Sequence, residues 1–136
     1  MWEGEAVRTD GHEPGAAALA GLFTVTGVTH FVAPGFYRPI VPHFLPGAPE
    51  GWVLVSGVAE LACAAAVAAP RTRRLGAALA VVLLVAVFPA NIQMAIDWRH
   101  DGAVKAAVAW GRLPLQIPLI WWAVRVRRHN APLPVR

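Results

Sequence analysis

Charge is what this sequence has least of. Of 136 residues only 15% are Asp, Glu, Lys or Arg, while 57% are apolar. Mean hydropathy is +0.50. A water-soluble domain carries about a quarter of its residues charged, so a soluble all-helical bundle fits poorly. Cysteine is almost missing as well. Cys63 stands alone, which leaves no internal disulfide, no CxxC pair and no cysteine metal centre. The chain also lacks a haem-attachment motif and a Gly-rich dinucleotide fingerprint, so it brings no electron carrier of its own. Basic residues are scarce in the leader, where Glu3, Glu5, Asp10 and Glu13 stand against Arg8. A cleaved signal peptide needs a basic start, and the first apolar segment is therefore expected to remain as a helix.

The apolar residues fall in four blocks, 15–32, 52–69, 75–96 and 103–126. Each matches the roughly 20 residues that a helix needs to cross about 30 Å of hydrocarbon. The expected fold is all-α, an integral membrane four-helix bundle. It divides into a cytoplasmic segment 1–14, a transmembrane domain 15–126 and a basic cytoplasmic tail 127–136, with no regular structure expected over 129–136. Pro34, Pro39, Pro42, Pro46 and Pro49 rule out a regular helix across 33–51. Phe36, Tyr37, Ile40, Val41, Phe44 and Leu45 nevertheless keep that loop apolar, as an irregular cap in the outer interface. Pro89 predicts a kink near Val85–Phe88. Trp52 and Trp98 are placed as anchors at the outer boundary, and Trp121 and Trp122 at the inner one.

A sequence pI near 10.6 suggests nucleic acid at first sight, but the placement of the charge argues for topology instead. Arg8, the Arg71, Arg73 and Arg74 turn, and Arg125, Arg127, Arg128 and Arg136 gather on one side. Arg38, Arg99 and Lys105 lie on the other. The excess of Lys and Arg marks the cytoplasmic face, which makes this a multi-pass plasma-membrane protein with both termini inside. Its partner is the lipid bilayer, not nucleic acid.

Polar groups inside spans are costly, about 2.5–3.5 kcal/mol for a charge at mid-bilayer on insertion scales. His30, Glu60, Asn91, Gln93, Arg112 and Gln116 lie within or just inside the blocks. At 1.5 Å per residue they all fall in the outer half. Asn91 and Gln93 lie on different helix faces, and the Pro89 kink favours Asn91 as the inward one. Arg112 and Gln116 share a face. Four helices offering polar groups at one depth predict a shared site: Glu60 and His30 as catalytic acid and base, with Asn91, Arg112 and Gln116 as ligand-binding residues. Three plainer readings compete. Glu60 and Arg112 form a structural ion pair, Asn91 and Gln116 act as interhelical glue, or His30, Glu60 and His43 hold a metal. The last lacks a closely spaced ligand pair, and no metal is expected.

The elements GVTHFVAPGFYRPIVPHFLPG, SGVAELA, PRTRRLGA, FPANIQMA and WGRLPLQIPLIWWA, spanning about Leu22 to Ala123, resemble the DoxX-like family of small four-helix membrane proteins. That resemblance implies the four-helix topology and an association with redox membrane complexes, including a quinone-reducing thiosulfate oxidoreductase. It carries no settled residue role. The leading functional expectation is a site for a lipophilic small molecule such as a quinone, within a redox-linked membrane system. One alternative is a non-catalytic membrane subunit that docks or stabilises a partner protein, possibly a redox subunit. Another is a non-redox acid/base enzyme acting on a lipophilic substrate.

Overall fold

The computed structural model describes residues 13–130. It is all-helical among them. Helix α1 runs Pro14–Val32, α2 is a single turn Pro34–Tyr37, and α3 runs Pro49–Ala68. Helix α4 covers Arg73–Ala86, α5 Phe88–Asp97 and α6 Ala103–His129. Short 3-10 turns at Arg38–Ile40 and Trp98–His100 complete the order. Five of the described helices have ten residues or more, one more than the four blocks predict. The extra one arises because α4 and α5 are separate elements joined at Val87. Proline at 89 has no N–H to bond the preceding turn, and the helical ladder restarts there.

Proline also corrects the reading of the loop. Pro34 and Pro49 open helices instead of preventing them. The first turn of a helix has no use for its N–H groups, so proline is tolerated there. Helix α3 consequently begins three residues before the apolar block, and part of the cap is helical. At the other end α6 continues through Arg127, Arg128 and His129, three residues past the end expected near Val126. Asn130 ties this end to the start of α1, its side chain donating to Glu13 Oε2 at 2.8 Å. The leader 1–12 with Arg8, and the tail 131–136 with Arg136, lie outside the described residues.

Three stretches are long and apolar enough to cross a membrane: Pro14–Val32, Pro49–Ala68 and Arg73–His100. Helix α6, at 27 residues, is long enough but carries Lys105, Arg112, Arg125, Arg127 and Arg128, and it is not among them. Helix α1 packs along α3, α4 against both α3 and α6, and α5 against α6. Near the Arg71–Arg74 turn the four long elements close on a dry core of small and branched residues, including Ala16, Leu19, Ala64, Val67, Ala77, Ala80 and Ala123. Glycine sets the closeness. A Cβ on Gly76 would stand 2.6 Å from backbone atoms of Ala66 and Val67. Arg73, counted above as a topology signal, is buried at this end. Its guanidinium donates to the carbonyls of Val67 (3.0 Å) and Ala68 (3.1 Å), where α3 runs out of its own donors.

Candidate functional site

At the opposite end the helices part. A second, smaller core of Ile40, Met94, Ala95 and Ala109 packs the loop against α5 and α6. Between the two cores lies a cavity of about 800 Å³, within the range that holds drug-sized ligands. His30, Glu60, Asn91, Arg112 and Gln116 all line it. Gln93 does not. It turns away and donates to Asp97 at 3.0 Å.

The α1–α3 wall depends on a close helix crossing. A Cβ on Gly57 would meet His30 Cβ at 2.8 Å and the Gly27 carbonyl at 3.2 Å, and one on Gly27 would meet Glu60 Cβ at 3.2 Å. With hydrogens at both places, His30 and Glu60 face each other, His30 Nδ1 lying 3.9 Å from Glu60 Oε2. The same nitrogen is 2.8 Å from the Thr26 carbonyl. Tyr37 stacks on the imidazole, ring centres 3.8 Å apart and planes within 18°. Thr29 Oγ1 donates to the Thr26 carbonyl (2.7 Å) and lies 2.6 Å from the Tyr37 hydroxyl, which therefore donates to it. Glu60 Oε2 is shielded from solvent and accepts no hydrogen bond from any described residue. A buried polar atom without a partner is costly, and such atoms cluster where something else is meant to bind.

The facing wall is built differently. Asn91 Nδ2 donates to Gln116 Oε1 at 2.7 Å, and Gln116 Nε2 donates to the Leu84 carbonyl. Leu84 lies in the turn of α4 that precedes the break at Val87, so the glutamine serves a carbonyl that the broken helix leaves exposed. These two amides thus do the gluing considered in the sequence. They also floor the cavity. Arg112 stands one turn along α6 from Gln116. It makes no ion pair within 4 Å of Glu60, so the structural pairing of those two is not what the geometry contains. His30 and Arg112 are the basic residues close enough to act on the Glu60 charge. Among the described residues no cluster of three His, Cys, Asp or Glu is arranged to hold a metal, and His43 is exposed on the loop.

The chain belongs to the DUF8561 family, a domain of unknown function. Its family model matches residues 19–127, which contain every cavity residue named above. No curated protein and no solved structure matches the chain. For this DUF8561 domain, sequence reasoning missed Tyr37 and the glycine pair. Tyr37 is the only tyrosine in the chain and sits seven residues after His30, a signal that was readable only as loop apolarity. Trp52, expected as a membrane anchor, also lines the cavity and donates to the Pro46 carbonyl at 2.8 Å, pinning the loop above it.

Proposed function

We propose that this protein is a multi-pass plasma-membrane protein that binds a lipophilic small molecule, such as a quinone, in the cavity between its two cores. Helix α6 serves as the fourth span, and α4 with α5 as the third. The 27 residues of α6 reach about 40 Å, enough to cross the hydrocarbon with Lys105 near one end, Arg125, Arg127 and Arg128 near the other, and Arg112 turned to the cavity. Both termini and the Arg71–Arg74 turn lie in the cytoplasm, so the cavity opens in the outer half of the bilayer. The observation that carries this reading is the convergence of five costly side chains from α1, α3, α5 and α6 on one mainly apolar cavity. An apolar enclosure with few, converging polar groups is the general form of a small-molecule site. The resemblance to DoxX-like proteins supports the same direction.

In this reading the hydrocarbon of the ligand lies against Leu22, Val55 and Leu115, and its polar head meets His30, Glu60 and Arg112. Glu60 and His30 are placed to exchange a proton with that head. Asn91 and Gln116 shape the floor. Two experiments test this. With Cys63 replaced, single cysteines at positions 48 and 70 are exposed to an impermeant thiol reagent on intact cells. Labelling at 48 and not at 70 is expected, and the reverse would invert the topology. Protein purified in mild detergent is then extracted with solvent and analysed by mass spectrometry. A near-stoichiometric lipophilic compound is expected, and an empty protein that also fails to bind added short-chain quinone would overturn the reading.

A further inference from the structure

The tautomer of His30 can be read from its neighbours. Nδ1 lies 2.8 Å from a backbone carbonyl oxygen, which can only accept, so this nitrogen carries the proton and donates. Glu60 Oε2 lies 3.9 Å from the same nitrogen, beyond hydrogen-bond distance. The Thr26 carbonyl holds the proton on Nδ1. The stacked Tyr37 ring, itself anchored through Thr29, blocks the imidazole from turning over. The neutral ring therefore has a bare lone pair on Nε2, and no described residue hydrogen-bonds it. Since His30 lines the cavity, this wall offers an acceptor. Across from it Arg112 offers only donors.

We propose that the site selects lipophiles headed by a hydroxyl group, which donates to His30 Nε2 and accepts from Arg112. This rests on the cavity being a ligand site, and it narrows the ligand class to hydroxyl-headed lipophiles, which include the reduced, quinol form of a quinone but not the quinone itself. A carbonyl or an ether oxygen can satisfy Arg112 alone, and would leave Nε2 buried without a donor. A site built to hydrogen-bond a hydroxyl discriminates strongly against analogues that lack one, because its own polar groups are then stranded.

The test uses the full chain in lipid nanodiscs and three probes: para-decylphenol, its methyl ether para-decylanisole, and decyl-benzoquinone. Titration calorimetry is expected to show the phenol binding at least about tenfold more tightly than either of the others. Equal binding of all three, or tighter binding of the quinone or ether, overturns the hydroxyl preference and leaves the cavity reading intact. Binding of none of them overturns both. Independently, long-range proton–nitrogen spectra of the histidine-labelled protein should place the His30 proton on Nδ1. A proton on Nε2 would refute the proposal without any ligand.

Discussion

The two ends of this bundle use the same helices to opposite purposes. Near the Arg71–Arg74 turn, α1, α3, α4 and α6 meet on alanines, Leu19 and Val67, and among the described residues no buried side-chain nitrogen or oxygen there lacks a hydrogen-bond partner. Trp122 donates to the Gly15 carbonyl at 3.1 Å, and Arg73 caps α3. Near the 33–48 loop the helices separate around about 800 Å³ of space, and Glu60 is left with a buried oxygen that no described residue satisfies. Close packing is the default for a helix bundle. On the proposed function, the difference gives stability to the turn end and ligand chemistry to the loop end.

That assignment breaks most visibly at Gly76. Gly76→Val places side-chain atoms where the α3 backbone already stands, and backbone cannot yield as a flexible side chain does. A loss of about 3 kcal/mol, the upper end of overpacking costs, is expected in chemical denaturation in detergent. The matching change at the loop end, Gly57→Ala, meets His30 Cβ and the exposed Phe31 ring. It should cost about 1 kcal/mol while weakening ligand binding, because His30 is displaced from Thr26. Equal losses at the two glycines would remove the distinction between the ends.

The buried arginine is at least comparable in size. Arg73→Leu strips two carbonyls at the end of α3 of a charged donor, at about 1.5–3 kcal/mol each. Its exposed neighbour Arg74→Leu should leave the melting temperature unchanged. Smaller again is the Asn91–Gln116 pair. A double-mutant cycle with both changed to Leu should give a coupling of about 0.6–1.7 kcal/mol, typical of interhelical hydrogen bonds in membranes. A coupling of zero would mean that the two amides bond ligand and not each other.

How far the sequence revealed all this depends on the kind of signal. Apolar blocks and the kink at Pro89 are local features, and they marked four helical regions and a break near Val87. The cost of burying His30, Glu60, Asn91, Arg112 and Gln116 named the residues that turn out to line one cavity, because depth along a helix can be counted. What could not be counted was which of them touch. Glu60 and Arg112 have opposite charge at similar depth, yet it is His30 that lies beside Glu60, since Gly27 and Gly57 bring α1 against α3. Helix-forming proline was also misread. Pro34 and Pro49 look like breakers until the start of the helix is known. Tyr37 was hidden because a stacking partner from a loop leaves no periodic trace.

The smallest stability effect belongs to the least satisfied residue. Glu60→Gln should shift unfolding by less than about 0.5 kcal/mol, as for substitutions that break no partnered contact, while lowering ligand affinity at least about tenfold. A Glu60→Leu and Arg112→Leu cycle should be additive within about 0.5 kcal/mol, as for residues without direct contact. Strong coupling there would restore the structural ion pair.

The central claim is that one end has room for a guest and the other has none, and one paired measurement addresses it. Ser56 lines the cavity, and Ala80 is fully buried in the turn-end core. Phenylalanine is introduced at each, and melting temperature and ligand binding are recorded for both. Ser56→Phe is predicted to melt within a few degrees of wild type and to lose the ligand, while Ala80→Phe fails to fold. If Ser56→Phe unfolds like Ala80→Phe, or folds and still binds as wild type does, the cavity is not a ligand site.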